Sequence, residues 1–86
     1  MHEMGVALEV CRIAEERLGR ERLREVVTVG VEVGGDAGVE VRSLEFCLET
    51  LLAAPPFAGA RPVIHRGPGE ALRLGYLEVD DDRARD

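Results

Sequence analysis

Apolar side chains recur every three or four residues along residues 5–18, with Glu and Arg between them. The apolar stripe consists of Val6, Ala7, Val10, Cys11, Ile13, Ala14 and Leu18. This spacing predicts an amphipathic helix whose apolar face lies on a core. We expect the helix to end near Gly19, because glycine readily adopts the backbone conformation that follows a helix.

A different period begins after a short charged link. Val27, Val29, Val31 and Val33 alternate with Thr, Gly and Glu, which is the two-residue period of a strand with one buried face. Residues 34–36 read Gly-Gly-Asp, a sequence that favours a turn. We therefore expect one strand that ends at this turn.

A second helix is predicted to begin at Ser43, because serine is a common helix cap. The apolar stripe that follows consists of Leu44, Cys47, Leu48, Leu51 and Leu52. Residues 55 and 56 are both proline, and the residue before a proline disfavours helical geometry. This helix should therefore end before Pro55.

Two extended segments follow the second helix. Residues 61–65 form the first, and Pro62 within it lacks the N–H that a central strand donates, so we expect an edge strand. Residues 66–69 read Arg-Gly-Pro-Gly and predict a turn, after which residues 71–79 form the second segment. We expect the two segments to pair as an antiparallel hairpin.

The apolar pattern of the last strand changes phase within the strand. Leu72 and Leu74 occupy even-numbered positions, whereas Leu77 and Val79 occupy odd-numbered ones. A regular strand would therefore place the two pairs on opposite faces of the sheet. A β-bulge near Gly75 would bring all four side chains to the same side of the sheet.

The order helix, strand, helix, strand, strand predicts an α+β fold, with both helices on one face of a three-stranded mixed sheet. The strand–helix–strand crossover should be right-handed. We expect residues 1–79 to form one domain, and residues 80–86, a run of charges, to form an acidic flexible tail. A core of this size is thin, so association into a homodimer would stabilise it.

Composition narrows the range of partners. The 86 residues carry a formal net charge of −6, whereas proteins that bind nucleic acid cluster Lys and Arg against the phosphates. No apolar run approaches the ~20 residues that cross a bilayer, and no signal peptide is recognised at the start of the sequence. We therefore expect a cytoplasmic protein that binds neither nucleic acid nor a membrane.

The sequence gives little support to catalysis. It contains no nucleophile elbow, no H-E-x-x-H helix, no P-loop and no dinucleotide-binding glycine fingerprint. Cys47 with His65 as its base is the one nucleophile pair to consider. However, Cys47 and Cys11 both lie on predicted apolar stripes, where a buried thiol is inert. We expect no enzyme and no catalytic residues.

Other polar residues have structural explanations that compete with functional ones. Glu32, Glu40, Glu45 and Glu49 are numerous enough to suggest a carboxylate cluster, but Glu45 and Glu49 lie one helical turn apart on an outer face, as solubilising charges do. His65 is a candidate second metal ligand if the fold brings it near His2; otherwise it is a surface histidine.

The first residues carry the most specific chemistry. Met1 provides a terminal amine, His2 provides an imidazole, and a peptide nitrogen lies between them. This all-nitrogen, nearly planar donor set suits Cu(II) or Ni(II), whereas zinc prefers a tetrahedron. The alternative is that His2 belongs to a frayed, solvated terminus.

With the element order in hand, the sequence resembles the HypA family of nickel chaperones for hydrogenase maturation. Residues 1–4, Met-His-Glu-Met, are similar to the amino-terminal signature of that family, and residues 31–39 to its strand-end segment. Residues 43–49 resemble the helix that follows, and residues 59–60 and 72–79 resemble the closing strands. Four pieces in the same order make the resemblance fairly specific.

The resemblance implies a Ni(II) site at Met1, His2 and Glu3. The His2 ring, the backbone nitrogens of His2 and Glu3 and the terminal amine would form a square plane, and Glu3 would tune the site. Nickel would pass to a hydrogenase large-subunit precursor or to another nickel enzyme, together with a HypB-like GTPase. Family members also carry a zinc loop with two Cys-x-x-Cys pairs, in the place where this chain has only residues 66–69, so no structural zinc is expected.

The missing zinc loop also motivates an alternative function. The chain would then be a protein-interaction module that keeps the HypA scaffold but delivers no metal, and it would bind a partner through its acidic faces and an exposed sheet edge.

Overall fold

A computed structural model describes residues 2–80 and residue 82. Two α-helices and three strands follow one another in the predicted order, and a short 3₁₀ helix forms the charged link between the first helix and the first strand. They are α1 (Glu3–Leu18), the 3₁₀ helix (Arg20–Glu25), β1 (Val26–Gly34), α2 (Val41–Leu52), β2 (Arg61–Gly67) and β3 (Leu72–Val79). The α+β class and the three-stranded mixed sheet are confirmed.

The strand order in the sheet is β2-β1-β3. The central strand β1 runs parallel to β2 and antiparallel to β3. Pro62 therefore lies on an edge strand, as predicted, but the predicted hairpin between the last two strands is wrong, because β1 lies between them. The helix α2 carries the chain back to the start of the sheet, so β2 joins one edge of β1 in parallel and only the other edge is left for β3.

The predicted bulge in β3 is confirmed. Gly30 lies opposite Tyr76 and Val31 lies opposite Leu74, so Gly75 has no partner in the register. This extra residue lets Leu72, Leu74 and Leu77 all pack on the core, although Val79 remains 40% exposed.

The helix α1 begins two residues before the predicted position, and the cap of α2 lies three residues before the predicted cap. The helix α1 starts at Glu3 rather than at residue 5, and it ends before Gly19, whose φ is 84°. The helix α2 starts at Val41, and its cap is Glu40 rather than Ser43. The Glu40 carboxylate accepts hydrogen bonds from the backbone N–H groups of Arg42 and Ser43, at 3.0 and 3.1 Å. These bonds satisfy donors that a helix start leaves without partners.

The core is an aliphatic layer between the two helices and one face of the sheet. Both cysteines are free and half-buried and pack against this core, as predicted. The buried apolar residues are Ala7, Val10, Ala14, Leu23, Val26, Val29, Val31, Val33, Leu44, Leu48, Leu52, Phe57, Ala60 and Leu74. Within the described residues, neither helix is long and apolar enough to cross a membrane.

The turn between β2 and β3 is fastened to the end of β1 by main-chain hydrogen bonds. The N–H of Gly34 donates to the carbonyl of Ala71 at 2.6 Å, and the N–H of Gly35 donates to the carbonyl of Gly67 at 2.9 Å. The N–H of Asp36 donates to the carbonyl of Gly69 at 2.8 Å. These main-chain bonds hold the turn at residues 67–71 against the end of β1.

The predicted tail falls mostly outside the described residues, which omit residue 81 and residues 83–86. Of its two described residues, Asp80 donates its N–H to the carbonyl of Glu25 at 2.8 Å. Asp82 donates its N–H to Asp80 Oδ1 at 2.9 Å. The start of the tail is therefore attached to the end of the 3₁₀ helix, immediately before β1.

Candidate metal centre

His2 stands immediately before α1 with an extended backbone, φ −80° and ψ 111°. Its carbonyl accepts the first hydrogen bond of the helix, from the N–H of Val6 at 3.1 Å. Its side chain is exposed and makes no capping bond. The imidazole is therefore in contact with solvent and available to a ligand.

The backbone nitrogen of Glu3 lies in the first turn of α1. The first N–H groups of a helix have no carbonyl partner within the helix. Replacing the proton on the nitrogen of His2 or Glu3 by a metal therefore breaks no bond of the helical ladder. Met1, whose amine is the other predicted ligand, lies outside the described residues.

The carboxylate of Glu3 already has a partner. Its Oε2 accepts a hydrogen bond from the backbone N–H of Glu40 at 3.0 Å. This bond is the largest cause of the lowered pKa of the Glu3 carboxyl, and the backbone N–H of Glu3 itself adds to it. The Glu3 side chain therefore connects the start of α1 to the cap of α2.

Glu40 continues this connection into α2. Its carboxylate accepts from Arg42 N, from Ser43 N and from Ser43 Oγ. The bond from Arg42 N is the largest cause of the lowered pKa of the Glu40 carboxyl. Serine is a more usual cap than glutamate, so the sequence favoured Ser43, and nothing local indicated the contact with Glu3.

The structure does not bring His65 to His2. His65 is the register partner of Glu32 and lies on the sheet face opposite to the buried Val31 and Val33. Its Nε2 shares a hydrogen bond of 2.7 Å with the hydroxyl of Tyr76. Among residues 2–80 and 82, no three His, Cys, Asp or Glu side chains are grouped so as to hold a metal ion. A metal at His2 would thus depend on backbone nitrogen ligands.

The Cys47 and His65 pair gains no support as a nucleophile and base. Cys47 packs against the core from α2, whereas the exposed His65 ring is bonded to Tyr76. For the other thiol, burial raises the pKa of Cys11 to about 11. At neutral pH Cys11 is therefore a protonated core side chain.

The four glutamates do not form one cluster. Glu45 and Glu49 are exposed on α2, as predicted. Glu32 accepts from Arg73 Nη2 at 2.9 Å across the sheet, and Glu40 caps α2.

Comparison with known families identifies the class of protein to which this fold and this terminus belong. The profile of the family described as "Hydrogenase/urease nickel incorporation, metallochaperone, hypA" matches residues 1–72. The chain belongs to the HypA family. This family consists of metallochaperones rather than enzymes.

Curated relatives agree with this assignment. The chain is 40% identical over 75 residues to the hydrogenase maturation factor HypA of Azotobacter chroococcum, a match that covers 87% of this chain and 66% of the relative. It is 36% identical over 75 residues to HypA of Azotobacter vinelandii, with 87% and 66% covered. It is 39% identical over 69 residues to HypA of Geobacter metallireducens, with 80% and 60% covered.

The chain spans slightly less than two thirds of the length of the first curated relatives that it matches. No solved structure gives a significant match.

Proposed function

We propose that this chain binds one Ni(II) ion at its amino terminus and delivers it to the precursor of a nickel enzyme, such as a hydrogenase large subunit, together with a HypB-like GTPase. The ligands would be the Met1 amine, the His2 ring and the backbone nitrogens of His2 and Glu3. The observation that carries the proposal is the exposed, unbonded His2 ring at the start of α1, in a chain of the nickel-incorporation family.

The chemistry of this donor set fits nickel. Nitrogen ligands in a plane suit Ni(II), and two of them would be deprotonated amides. The amino-terminal end of a helix carries a partial positive charge, which favours negative charge at that position. The start of α1 therefore lowers the cost of deprotonating the amides of His2 and Glu3. A metal held on an exposed terminus is also accessible to an incoming acceptor ligand.

Nickel titration of the protein without any amino-terminal tag tests the site. We expect one Ni(II) per chain and an absorption band of low-spin, square-planar nickel. His2→Ala should abolish both, whereas the matched control His65→Ala should leave both unchanged. Nickel binding that survives His2→Ala with the same band would refute the proposed site.

Delivery is tested by recovery of a nickel-enzyme precursor on the immobilised protein, followed by measurement of nickel in the precursor. We expect transfer from the wild-type protein and none from His2→Ala. A precursor that is recovered equally well with and without nickel, but never receives the metal, would instead support the interaction module.

A further inference from the structure

The face of the sheet opposite the helices carries a polar pocket. Glu32 alternates with the buried Val31 and Val33, so its side chain points to this face. Its register partners on the two edge strands are His65 and Arg73. A cavity of about 440 Å³ lies beside these three side chains, at the end of the sheet where β2 turns toward β3. Its volume is within the range of pockets that bind small molecules.

Cross-strand contacts hold the side chains of this pocket in place. Arg73 Nε and Nη2 donate to Glu32 Oε1 at 3.1 and 2.9 Å. His65 Nε2 shares a hydrogen bond of 2.7 Å with Tyr76 Oη, and the centroids of the two rings are 5.4 Å apart. The Tyr76 ring lies over Gly30, so it reaches across the central strand. Side chains ordered by such contacts lose little further entropy when a ligand binds.

The pocket offers more hydrogen-bond donors than acceptors. Arg66 lines it and forms no ion pair with any of residues 2–80 and 82. Arg73 keeps its Nη1 donors, because its bonds to Glu32 use Nε and Nη2. Two arginines and one glutamate give the lining a formal charge of +1, in a chain whose net charge is −6. This part of the surface therefore favours a small anion.

A phosphate group fits this set of donors. The planar fork of a guanidinium matches phosphate oxygens, and a phosphate monoester has three terminal oxygens to share between two arginines and an imidazole. The ring of Tyr76, which is 37% exposed, offers a flat surface for an organic group attached to the phosphate. A nucleic-acid backbone would bring many negative charges close to an acidic chain, whereas a small ester brings only its own.

We propose that this pocket binds a small phosphate monoester with a planar organic group. The phosphate lies between Arg66 and Arg73, and the organic group packs on Tyr76. Because the phosphate competes with Glu32 for Arg73, the Glu32 carboxylate limits the affinity. The pocket is separate from His2, and this inference goes beyond the proposed nickel function without resting on it.

The test uses the full chain, labelled with ¹⁵N, without nickel and at low ionic strength, because salt screens an exposed anion site. The probes are phenyl phosphate and inorganic phosphate, and phenol is the uncharged control. We expect phenyl phosphate to shift the amides of Glu32, Arg66, Gly67 and Arg73, and phenol to leave them unshifted. Phenyl phosphate should bind more tightly than inorganic phosphate by about threefold, within the range that an offset ring contact supplies.

Two matched pairs of variants distinguish this pocket from a general effect of charge. Arg66→Gln should weaken phenyl phosphate binding by about fivefold, the upper range for an exposed ion pair. Arg61→Gln, at the other end of the same strand, should change it little. Glu32→Gln should strengthen binding by a similar factor of about fivefold, because it releases Arg73 to the phosphate. Glu49→Gln removes the same charge from an exposed position on α2 and should have no effect.

A further variant locates the organic group. Tyr76→Ala should remove the preference for phenyl phosphate over inorganic phosphate; if this variant does not fold, the two matched pairs still decide. Equal effects of Arg66→Gln and Arg61→Gln, or a Glu32→Gln variant that binds no more tightly than the wild type, would overturn the proposal. His2→Ala should bind phenyl phosphate as the wild type does, so failure of the nickel site and failure of this pocket are separate outcomes.

Discussion

The substitution Gly30→Ala should destabilise the protein only while Tyr76 is present. The ring of Tyr76 lies directly over Gly30, so a Cβ at residue 30 would stand 2.2 Å from Tyr76 Cε1 and 2.3 Å from Tyr76 Cζ. One of the two groups must move. Tyr76 is 37% exposed, so the ring can turn toward solvent, and the cost is limited to the interactions that it loses.

These interactions set the magnitude. The ring would lose its hydrogen bond with His65, worth about 0.5–1.5 kcal/mol, and its packing on the sheet, for a total of about 2 kcal/mol. Alanine in a strand is better than glycine by about 0.5–1 kcal/mol, which offsets part of the loss. We therefore expect Gly30→Ala to lower the free energy of unfolding by about 1 kcal/mol.

The sign should reverse in the Tyr76→Ala background, because no ring remains to collide with the new Cβ. There Gly30→Ala should stabilise the protein by about 0.5–1 kcal/mol, which gives a coupling of about 2 kcal/mol in the double-mutant cycle. Urea unfolding followed by circular dichroism measures all four proteins. Tyr76 is the single tyrosine in a chain without tryptophan, so tyrosine fluorescence reports the ring directly. Equal effects of Gly30→Ala in both backgrounds would refute this reasoning.

Two further predictions follow from the end of the sheet and from the helix caps. Gly34→Ala should destabilise by about 2–3 kcal/mol in the same unfolding assay, because its Cβ would stand 2.2 Å from the Gly69 carbonyl, which is backbone and cannot turn aside. The control Gly67→Ala meets nothing within 4 Å and should cost far less. The pKa values of Glu3 and Glu40 are lowered in the folded state, so their contribution to stability is present above their unfolded pKa and is lost as the pH falls through the folded values. In the double variant Glu3→Gln with Glu40→Gln, the free energy of unfolding should decrease less as the pH is lowered. A decrease as large as that of the wild type would contradict these contacts.

The contact between Glu3 and Glu40 also affects how the candidate metal site can be studied. Because the Glu3 carboxylate holds the start of α1 against the cap of α2, a substitution at Glu3 changes the position of the terminus as well as the charge near it. Effects of Glu3 variants on nickel affinity should therefore be compared with those of Glu40 variants, which disturb the cap of α2 but keep the backbone N–H that Glu40 donates to Glu3.

Local patterns in the sequence determined the elements and the sides that they bury. The valines of β1 recur every two residues and the apolar stripes of both helices every 3.6 residues. These are the spacings at which side chains of a strand or of a helix point to the same, buried face. The same reasoning placed the bulge at Gly75 and Pro62 on an edge. It also made His2 a candidate metal ligand, since a terminal chelate needs only neighbouring residues.

Tertiary structure alone decided which elements became neighbours. Either of the last two strands could have paired with either edge of β1. The helix α2 returns the chain so that β2 pairs with one edge and β3 with the other, and no local sequence pattern encodes this choice. The bond from Glu40 to Glu3 and the ring of Tyr76 over Gly30 join residues far apart in the chain. Such contacts depend on the free energy of the whole packed arrangement, and for that reason the surroundings of His2 became visible only in the folded protein.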